Sequence, residues 1–235
     1  MSTEHYIGNE LELFQHAVNW KSYYGNMIRP YLKGTVMEVG AGIGATTQTL
    51  CDGSQDSWIC VEPDNDLAIH IESKIKSALL PSICQLRKGI LKDQPSGEMY
   101  DAIIYIDVIE HIEYDAEELK EAAKRLKQDG KLIILVPAHN WLFSPFDKAI
   151  GHFRRYNKKR LVQAVPPSLK RVTLRYLDMV GLAASSANKL LLKQSYPTVQ
   201  QVKFWDRTMV PISRILDPVM GYSMGKSVLG IWQKV

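Results

Sequence analysis

Apolar and polar stretches alternate along the first two thirds of the chain in a way that predicts strands and helices in turn. Short apolar runs bounded by turn residues have the length of buried strands: TVMEVG, SWICVEP, ICQLRK, YDAIIYID and KLIILVP. Polar stretches of helical length lie near 44–52, 64–80 and 113–128. This alternation predicts an α/β fold, a doubly wound and mostly parallel sheet with helices on both faces.

The two ends of the chain have different patterns. Apolar side chains at near-helical spacing predict a helical segment over 10–32, and the C-terminal third predicts a helix near 157–165 and a strand near 169–178. The stretch SVLGIWQKV reads as a last strand. Residues 180–224 carry apolar side chains and prolines without a strand pattern, so we expect a helical lid inserted before that strand, with Trp205 and Met209 lining the acceptor side of a pocket.

Length and charge limit the possible classes of protein. A chain of 235 residues with 46% hydrophobic content fits one α/β domain, which we expect to span residues 1–235. The formal net charge of +4 is small for a protein that follows the phosphates of a nucleic acid. We therefore expect no nucleic-acid partner, and nothing in the composition indicates the oligomeric state.

The cysteines and the N-terminus bear on the compartment. Cys51, Cys60 and Cys84 lie in or beside apolar runs without the spacing of a zinc site, which predicts buried free thiols. The first ten residues lack the pattern of a secretory signal, and no apolar run approaches the roughly 20 residues that a membrane span needs. We expect a cytoplasmic protein without a transmembrane segment.

The stretch VMEVGAGIGATT, residues 36–47, predicts a ligand site. Gly40, Gly42 and Gly44 follow the first strand, at the sheet edge where ligands bind in doubly wound folds. We expect a Cβ there to collide with the ligand. The spacing fits both GxGxG and the dinucleotide pattern GxGxx[GA], and an ordinary tight turn is a third interpretation. Glu62 ends the next strand, 18 residues after Gly44, where a carboxylate can accept ribose hydroxyls, so an adenosine-bearing cofactor is favoured.

Three further features favour one cofactor. Glu38 places a carboxylate at the ligand edge, where it can face an α-amino group that a dinucleotide lacks. The fourth strand continues into IDVIEHIEYD and the fifth into LVPAHNWLF. These residues resemble the class I S-adenosylmethionine-dependent methyltransferases, and within them the subgroup in which D-x-x-E-H-[IV] follows the fourth strand, as in the ubiquinone-pathway O-methyltransferases. The resemblance covers residues 30–160 by motif and order.

The resemblance implies a fold, a cofactor and a set of contacts. It implies a seven-stranded Rossmann-like sheet that closes with an antiparallel hairpin, and transfer of a methyl group to oxygen or nitrogen of a small-molecule or lipid-like acceptor. Ile90 stands where many members have a polar contact to the adenine amine, so the resemblance implies that adenine is contacted by backbone and apolar packing only, or by Asp93 if the alignment is shifted. The implied cofactor-binding residues are Glu38, Gly40, Ala41, Gly42, Gly44, Glu62, Pro63, Gly89, Ile90 and Asp107.

Methyl transfer to a hydroxyl or ammonium needs alignment and a group that removes a proton. His111 follows the fourth strand at the expected pocket mouth and is the leading catalytic candidate, with titration near neutral pH. His152 is the second candidate and His139 a weaker one. The alternative is that His111 only caps or orients the following helix.

The same run permits a metal site. Asp107, Glu110 and His111, with His152 as a fourth ligand, resemble the E-x-x-E-H of metal-dependent relatives, which bind magnesium through such groups. The interpretation that we favour is that Asp107 serves the cofactor pocket and that His111 acts as a base without metal.

The segment GHFRRYNKKR, residues 151–160, concentrates positive charge. A solvated helix start accounts for such a run. Basic groups beside a catalytic mouth also select an anionic acceptor, so an anionic acceptor is the second interpretation.

Two other functions share some of these features. A nicotinamide-dependent oxidoreductase also uses the glycine turn and Glu62, but it leaves Glu38 and DVIEHI without a role and needs a substrate domain. A degenerate methyltransferase fold that only binds a partner is weakened by the intact glycines and both carboxylates.

Overall fold

The computed structural model describes residues 10–192 and 196–235, and within these ranges one sheet organises the chain. Its seven strands are β1 (Thr35–Val39), β2 (Ser57–Glu62), β3 (Cys84–Lys88), β4 (Tyr100–Ile106), β5 (Leu126–Pro137), β6 (Leu169–Leu177) and β7 (Ser227–Lys234). The strand order is β3-β2-β1-β4-β5-β7-β6. Only β7 runs antiparallel to its neighbours β5 and β6, so the predicted doubly wound sheet is confirmed, with its C-terminal hairpin.

Helices cover both faces of the sheet. In the described chain they are α1 (Glu10–Phe14), α2 (Val18–Ile28), α3 (Ala45–Leu50), α4 (Asn65–Lys76), α5 (Asp115–Lys124), α6 (Pro145–Ala149), α7 (Lys158–Ala164), α8 (Met179–Ala187), α9 (Val199–Phe204) and α10 (Val210–Val219).

The strands divide their side chains between two hydrophobic cores. Met37 and Val39 of β1 point to one face and Val36 to the other, as the two-residue period of a strand requires. Both faces are buried, which explains why the central strands read as continuous apolar runs instead of alternating ones. Cys51, Cys60 and Cys84 are buried free thiols, as predicted.

Several boundaries differ from the sequence prediction. The helical segment expected over 10–32 is divided into α1, α2 and a 3₁₀ turn at Arg29–Tyr31, where Pro30 follows the end of α2. Strand β5 begins at Leu126, before KLIILVP, because the chain makes an irregular pairing with β4 around Asp129, which has φ of 63°. Among the described residues, no helix combines the length and the apolar character needed to cross a bilayer.

The segment between β6 and β7 is helical. It contains α8, α9 and α10, with π-helical turns at Asn188–Leu192 and Trp205–Met209. Residues 193–195 of the expected lid lie outside the described residues, as do residues 1–9 of the expected domain. The chain continues from the insertion into β7, which pairs antiparallel with β5. The helices of the insertion therefore lie near the carboxyl edge of β5.

Candidate functional site

The glycine turn joins β1 to α3 at the carboxyl edge of the sheet. Gly40, Gly42 and Gly44 all have positive φ, and the Gly40 amide donates to the Val61 carbonyl at 2.8 Å. A Cβ added at Gly40 would lie 2.6 Å from the Val108 side chain, and one at Gly42 would lie 3.2 Å from Leu11. We expected such a Cβ to meet the ligand. At these two positions it first meets the protein itself.

Glu62 holds the glycine turn in place. One carboxylate oxygen accepts the Gly42 amide at 2.7 Å and the other accepts the Asp64 amide at 3.0 Å. Burial raises the pKa of Glu62, although these two amides favour the charged form. A carboxylate has lone pairs beyond those two, so hydroxyl donors can still bind.

Glu38 lies on a sheet face, buried below the turn. The same carboxylate oxygen accepts the Thr47 hydroxyl at 2.7 Å and the Trp58 indole N–H at 2.9 Å. Burial raises the pKa of Glu38 to about 7. These two hydrogen bonds join Glu38 to the protein and not to the position expected for a cofactor ammonium.

Pro63, Gly89 and Ile90 lie beside the end of β2. The Gly89 amide donates to the Glu62 carbonyl at 3.1 Å, and the Ile90 side chain is exposed. Asp93, the alternative for the adenine contact, accepts the Ile90 amide at 3.0 Å. The structure groups these residues with Glu62 at the edge of the sheet.

A cavity of about 1160 Å³ opens beside the glycine turn. Gly40, Ala41 and Gly42 line one side of it, and His111 and His152 line another. The insertion closes the far side, where Trp205 and Met209 both line the cavity, as the sequence suggested. The remaining wall is largely aromatic and apolar, with Trp20, Tyr24, Phe143, Phe146 and Phe204.

His111 is placed at the cavity but in an environment that suppresses its charge. Burial, with a contribution from His152, lowers the pKa of His111 to about 3. The two imidazole rings meet edge to face, with centroids 4.5 Å apart. We expected His111 to titrate near neutral pH, but its pKa is lowered because the ring is withdrawn from water next to a second imidazole.

His152 is held by a carboxylate that sequence reasoning missed. Asp147 is fully buried and accepts His152 Nδ1 at 3.0 Å. It also accepts Arg155 Nε at 2.6 Å and Arg155 Nη2 at 2.9 Å. Burial raises the pKa of Asp147, but the hydrogen bonds from His152 and Arg155 outweigh it and hold that pKa well below its usual value. The sequence pattern that could have indicated Asp147 is Ser144-Pro-Phe-Asp147, which forms a capping box at the start of α6.

The candidate metal ligands are only partly brought together. Glu110, His111 and His152 each offer a ligand atom within 4.8 Å of the others. Asp107 lies outside this group, with φ of 54° and its amide bonded to the Leu135 carbonyl at 2.8 Å. It lines the cavity, and burial raises the pKa of Asp107 to about 6 against the opposing charge of Lys226.

The basic run after α6 is mostly engaged inside the protein. Arg154 pairs with Asp115 at 2.9 Å, and Lys158 donates to the Tyr222 carbonyl at 2.9 Å. Of the five cations in residues 151–160, Arg155 alone belongs to the lining of the described cavity. His139 is also used structurally, since its ring stacks on Tyr176 with centroids 5.1 Å apart.

Comparison with known proteins agrees with the fold. Residues 37–132 match a family model described as a methyltransferase domain. No curated protein sequence matches the chain significantly.

Solved structures share the fold at low sequence identity. Coclaurine N-methyltransferase, bound to N-methylheliamine and SAH, is 13% identical, with a TM-score of 0.62 over 93% of this chain and 72% of that one. The [4+2]-cyclase SpnF is 10% identical, with a TM-score of 0.62 over 97% and 94%. An O-methyltransferase family 2 protein from Planctomyces limnophilus, in complex with apigenin, is 14% identical, with a TM-score of 0.54 over 86% and 51%.

Similarity at this level shows the fold, a Rossmann-like methyltransferase sheet. The match of residues 37–132 to a methyltransferase-domain model agrees with this fold. The subgroup suggested by D-x-x-E-H-I stays a prediction.

Proposed function

We propose that this chain transfers the methyl group of S-adenosylmethionine to an oxygen or nitrogen of a small or lipid-like acceptor. One observation carries the proposal: a single cavity of about 1160 Å³ is lined both by the glycine turn and by His111 and His152. This volume lies slightly above the range of about 300–1,000 Å³ for single-ligand sites, which suits two ligands side by side.

The residues at the sheet edge fit an adenosine-bearing cofactor. Glu62 is fixed by two backbone amides at 2.7 and 3.0 Å, so its free lone pairs are oriented before a ribose arrives. Gly40, Ala41 and Gly42 present backbone to the cavity. When bound there, S-adenosylmethionine supplies an electrophilic methyl carbon, whose bond to sulfur breaks as the bond to the acceptor forms.

His152 is the residue that we assign to proton removal. Its Nδ1 donates to the Asp147 carboxylate at 3.0 Å, which leaves the Nε2 lone pair for a proton from the acceptor. The bidentate contact of Arg155 fixes Asp147 in turn. His111, the leading candidate from sequence, packs its ring against His152, and its pKa, lowered to about 3, disfavours it as a base.

The walls of the cavity favour an apolar or aromatic acceptor. Trp20, Tyr24, Phe143, Phe146 and Trp205 all contribute to the lining. Such walls bury the hydrocarbon or ring surface of an acceptor, while charged side chains of the cavity orient the polar end of that acceptor. The fold alone does not fix the reaction, since SpnF shares the fold and is a cyclase.

The test is methyl transfer from isotopically labelled S-adenosylmethionine to phenols, amines and extracted lipids. We expect His152→Gln to lower kcat about a hundredfold or more while the Kd of the cofactor is unchanged. His111→Gln is the matched control, because it removes the neighbouring ring from the same cavity and should affect kcat less.

Two outcomes would contradict this assignment. Near-normal turnover by His152→Gln would exclude the proton-removal role. Activity that EDTA abolishes and Mg²⁺ restores would instead assign Glu110, His111 and His152 to a metal site.

A further inference from the structure

Helix α10 buries two polar side chains, Ser213 and Asp217, and exposes several apolar ones. Ser213 and Asp217 are fully buried. The Ser213 hydroxyl donates to Asp178 at 2.7 Å, and Asp217 accepts the Tyr23 hydroxyl at 2.8 Å and the Asp178 amide at 2.7 Å. Because these polar groups are satisfied inside the protein, the helix is held with the opposite face toward solvent.

That opposite face is a continuous apolar stripe. Ile212, Ile215 and Val219 are spaced so that they share one side of the helix, and the side chains of Ile215 and Val219 are 69% and 76% exposed. Met220 and Met224 extend the exposed surface beyond the end of the helix. A contiguous apolar surface of this kind is unusual in a protein that contacts only water.

The exposed charges of the segment that carries the stripe have one sign. Between residues 196 and 226 the only acidic residues are Asp206 and Asp217, and both are buried. Arg207 and Arg214 are exposed in the same segment. We call Arg207, Ile212, Arg214, Ile215, Val219, Met220 and Met224 the α10 surface. It offers apolar side chains and positive charge without an exposed carboxylate from its own segment.

We propose that the α10 surface docks the protein on the face of a lipid bilayer that carries anionic headgroups. Apolar side chains that enter the headgroup region, with cations beside them, are what binds an interfacial helix to such a membrane. Two copies related by a twofold axis through this surface would bring the arginines of both copies together, which disfavours a symmetric dimer there.

The cavity opens on the same segment of chain. Tyr196 and Phe204 both line the cavity, and each is 56% exposed. Docking through the neighbouring α10 surface would therefore suit an acceptor drawn from the membrane. The docking proposal is independent of methyl transfer, because its test measures binding without turnover.

The experiment is flotation of the full chain with vesicles of phosphatidylcholine alone and of phosphatidylcholine with phosphatidylglycerol. We expect binding to the anionic vesicles that decreases as salt is added. The double variant Ile215→Gln/Val219→Gln should bind at least about tenfold more weakly, because it removes the apolar contact. Arg207→Gln/Arg214→Gln should weaken binding by about tenfold or more, and mainly to the anionic vesicles.

Matched controls separate the surface from general effects. Ile69→Gln/Leu79→Gln removes exposed apolar side chains elsewhere, and Lys92→Gln/Lys120→Gln removes the same charge elsewhere. Both control variants should bind like the unmodified chain, and circular dichroism should show all variants folded.

Three outcomes would overturn the proposal. The first is no binding of the unmodified chain to either vesicle, and the second is equal binding by the α10 variants and their controls. The third is a dimer in sedimentation velocity that Ile215→Gln/Val219→Gln converts to monomer, which would assign the stripe to a second copy of this chain.

Discussion

At the scale of the residue, Glu38 is a carboxyl whose charge depends on pH within the physiological range. It is 2% exposed, and burial raises its pKa to about 7. The Thr47 hydroxyl and the Trp58 indole both donate to one oxygen. In the unfolded chain the same group ionises near its ordinary value of about 4.3. Glu38 therefore binds a proton more tightly in the folded state.

This difference predicts how stability depends on pH. Between about pH 4.5 and 7 the folded state keeps the proton that the unfolded state loses, so Glu38 makes the free energy of unfolding fall as pH rises, by about 3–4 kcal/mol in all. Glu38→Gln keeps an oxygen for both donors and removes the charge. We expect urea unfolding to show the variant level with the unmodified chain at pH 4 and more stable at pH 8. A parallel loss of stability in both proteins would contradict this.

Gly40 and Val108 form a second pair that can be tested. Gly40 has φ of 70°, and an added Cβ would lie 2.6 Å from Val108 Cγ2. We expect Gly40→Ala to lower the free energy of unfolding by about 2–4 kcal/mol, from backbone strain and the clash together. Gly97→Ala is the control. Gly97 has φ of 95°, and a Cβ added there would meet nothing within 4 Å, so this substitution adds backbone strain without a clash.

Adding Val108→Ala makes room for the new methyl group. In a double-mutant cycle measured by urea unfolding, this change should restore part of the loss caused by Gly40→Ala. Strict additivity of the two substitutions would show that the side chain of Val108 is not what requires a glycine at position 40.

At the scale of the element, the insertion and the N-terminal helix behave as one cover over the cavity. Asp206 of the insertion accepts the amides of Asn19 and Trp20 at 3.1 and 2.8 Å, at the first turn of α2. Asp217 accepts the Tyr23 hydroxyl on the same helix. Replacement of residues 180–224 by a short turn, a simple test of a lid, would therefore also leave the start of α2 without its acceptors.

A point change tests the cover with less disturbance. Asp206→Ala removes the acceptor of these amides, so we expect the free energy of unfolding to fall by about 2–3 kcal/mol. Asp64→Ala is the control, because it removes an ordinary cap of α4 and should cost about 1 kcal/mol. Hydrogen exchange should speed up across α2 and α8–α10 in Asp206→Ala only. Unchanged exchange in these helices would show that the cover does not depend on Asp206.

At the scale of the whole molecule, the cofactor distinguishes the functions that share this fold. We expect calorimetric titration to show binding of S-adenosylmethionine and S-adenosylhomocysteine and none of NAD. Saturating S-adenosylmethionine should raise Tm, because it binds the folded state alone.

Glu62 gives this titration a matched pair of variants. Glu62→Ala should weaken binding by about tenfold to a hundredfold, through lost charged hydrogen bonds to the ribose and a looser glycine turn. Asp64→Ala removes a neighbouring carboxylate and should leave the Kd unchanged. Tight binding of NAD, or an unaffected Kd in Glu62→Ala, would contradict the cofactor assignment.

The sequence by itself determined the layers of the fold and the sheet edge at which the candidate site lies. The strands and the helices between them have local signals: apolar runs of strand length, the cap of α4 at Asp64, and glycines at positive φ after β1. Parallel strands present their carboxyl ends at one edge of the sheet. Gly42, Glu62 and His111 each lie at or just after the end of a parallel strand, so the sequence already placed them near one another. Local periodicity and turn chemistry suffice for this because they depend on residues close in the chain.

The tertiary structure alone decided which side chains meet and in which charge state. Asp147 holds His152, His111 loses its charge beside that ring, and Asp107 stays outside the group formed by Glu110, His111 and His152. The direction of α10 depends on Tyr23, 194 residues before Asp217 in the chain. A hydrogen bond or a desolvated charge is set by distance and surroundings in space, and a linear pattern does not contain those when the partners are far apart in sequence.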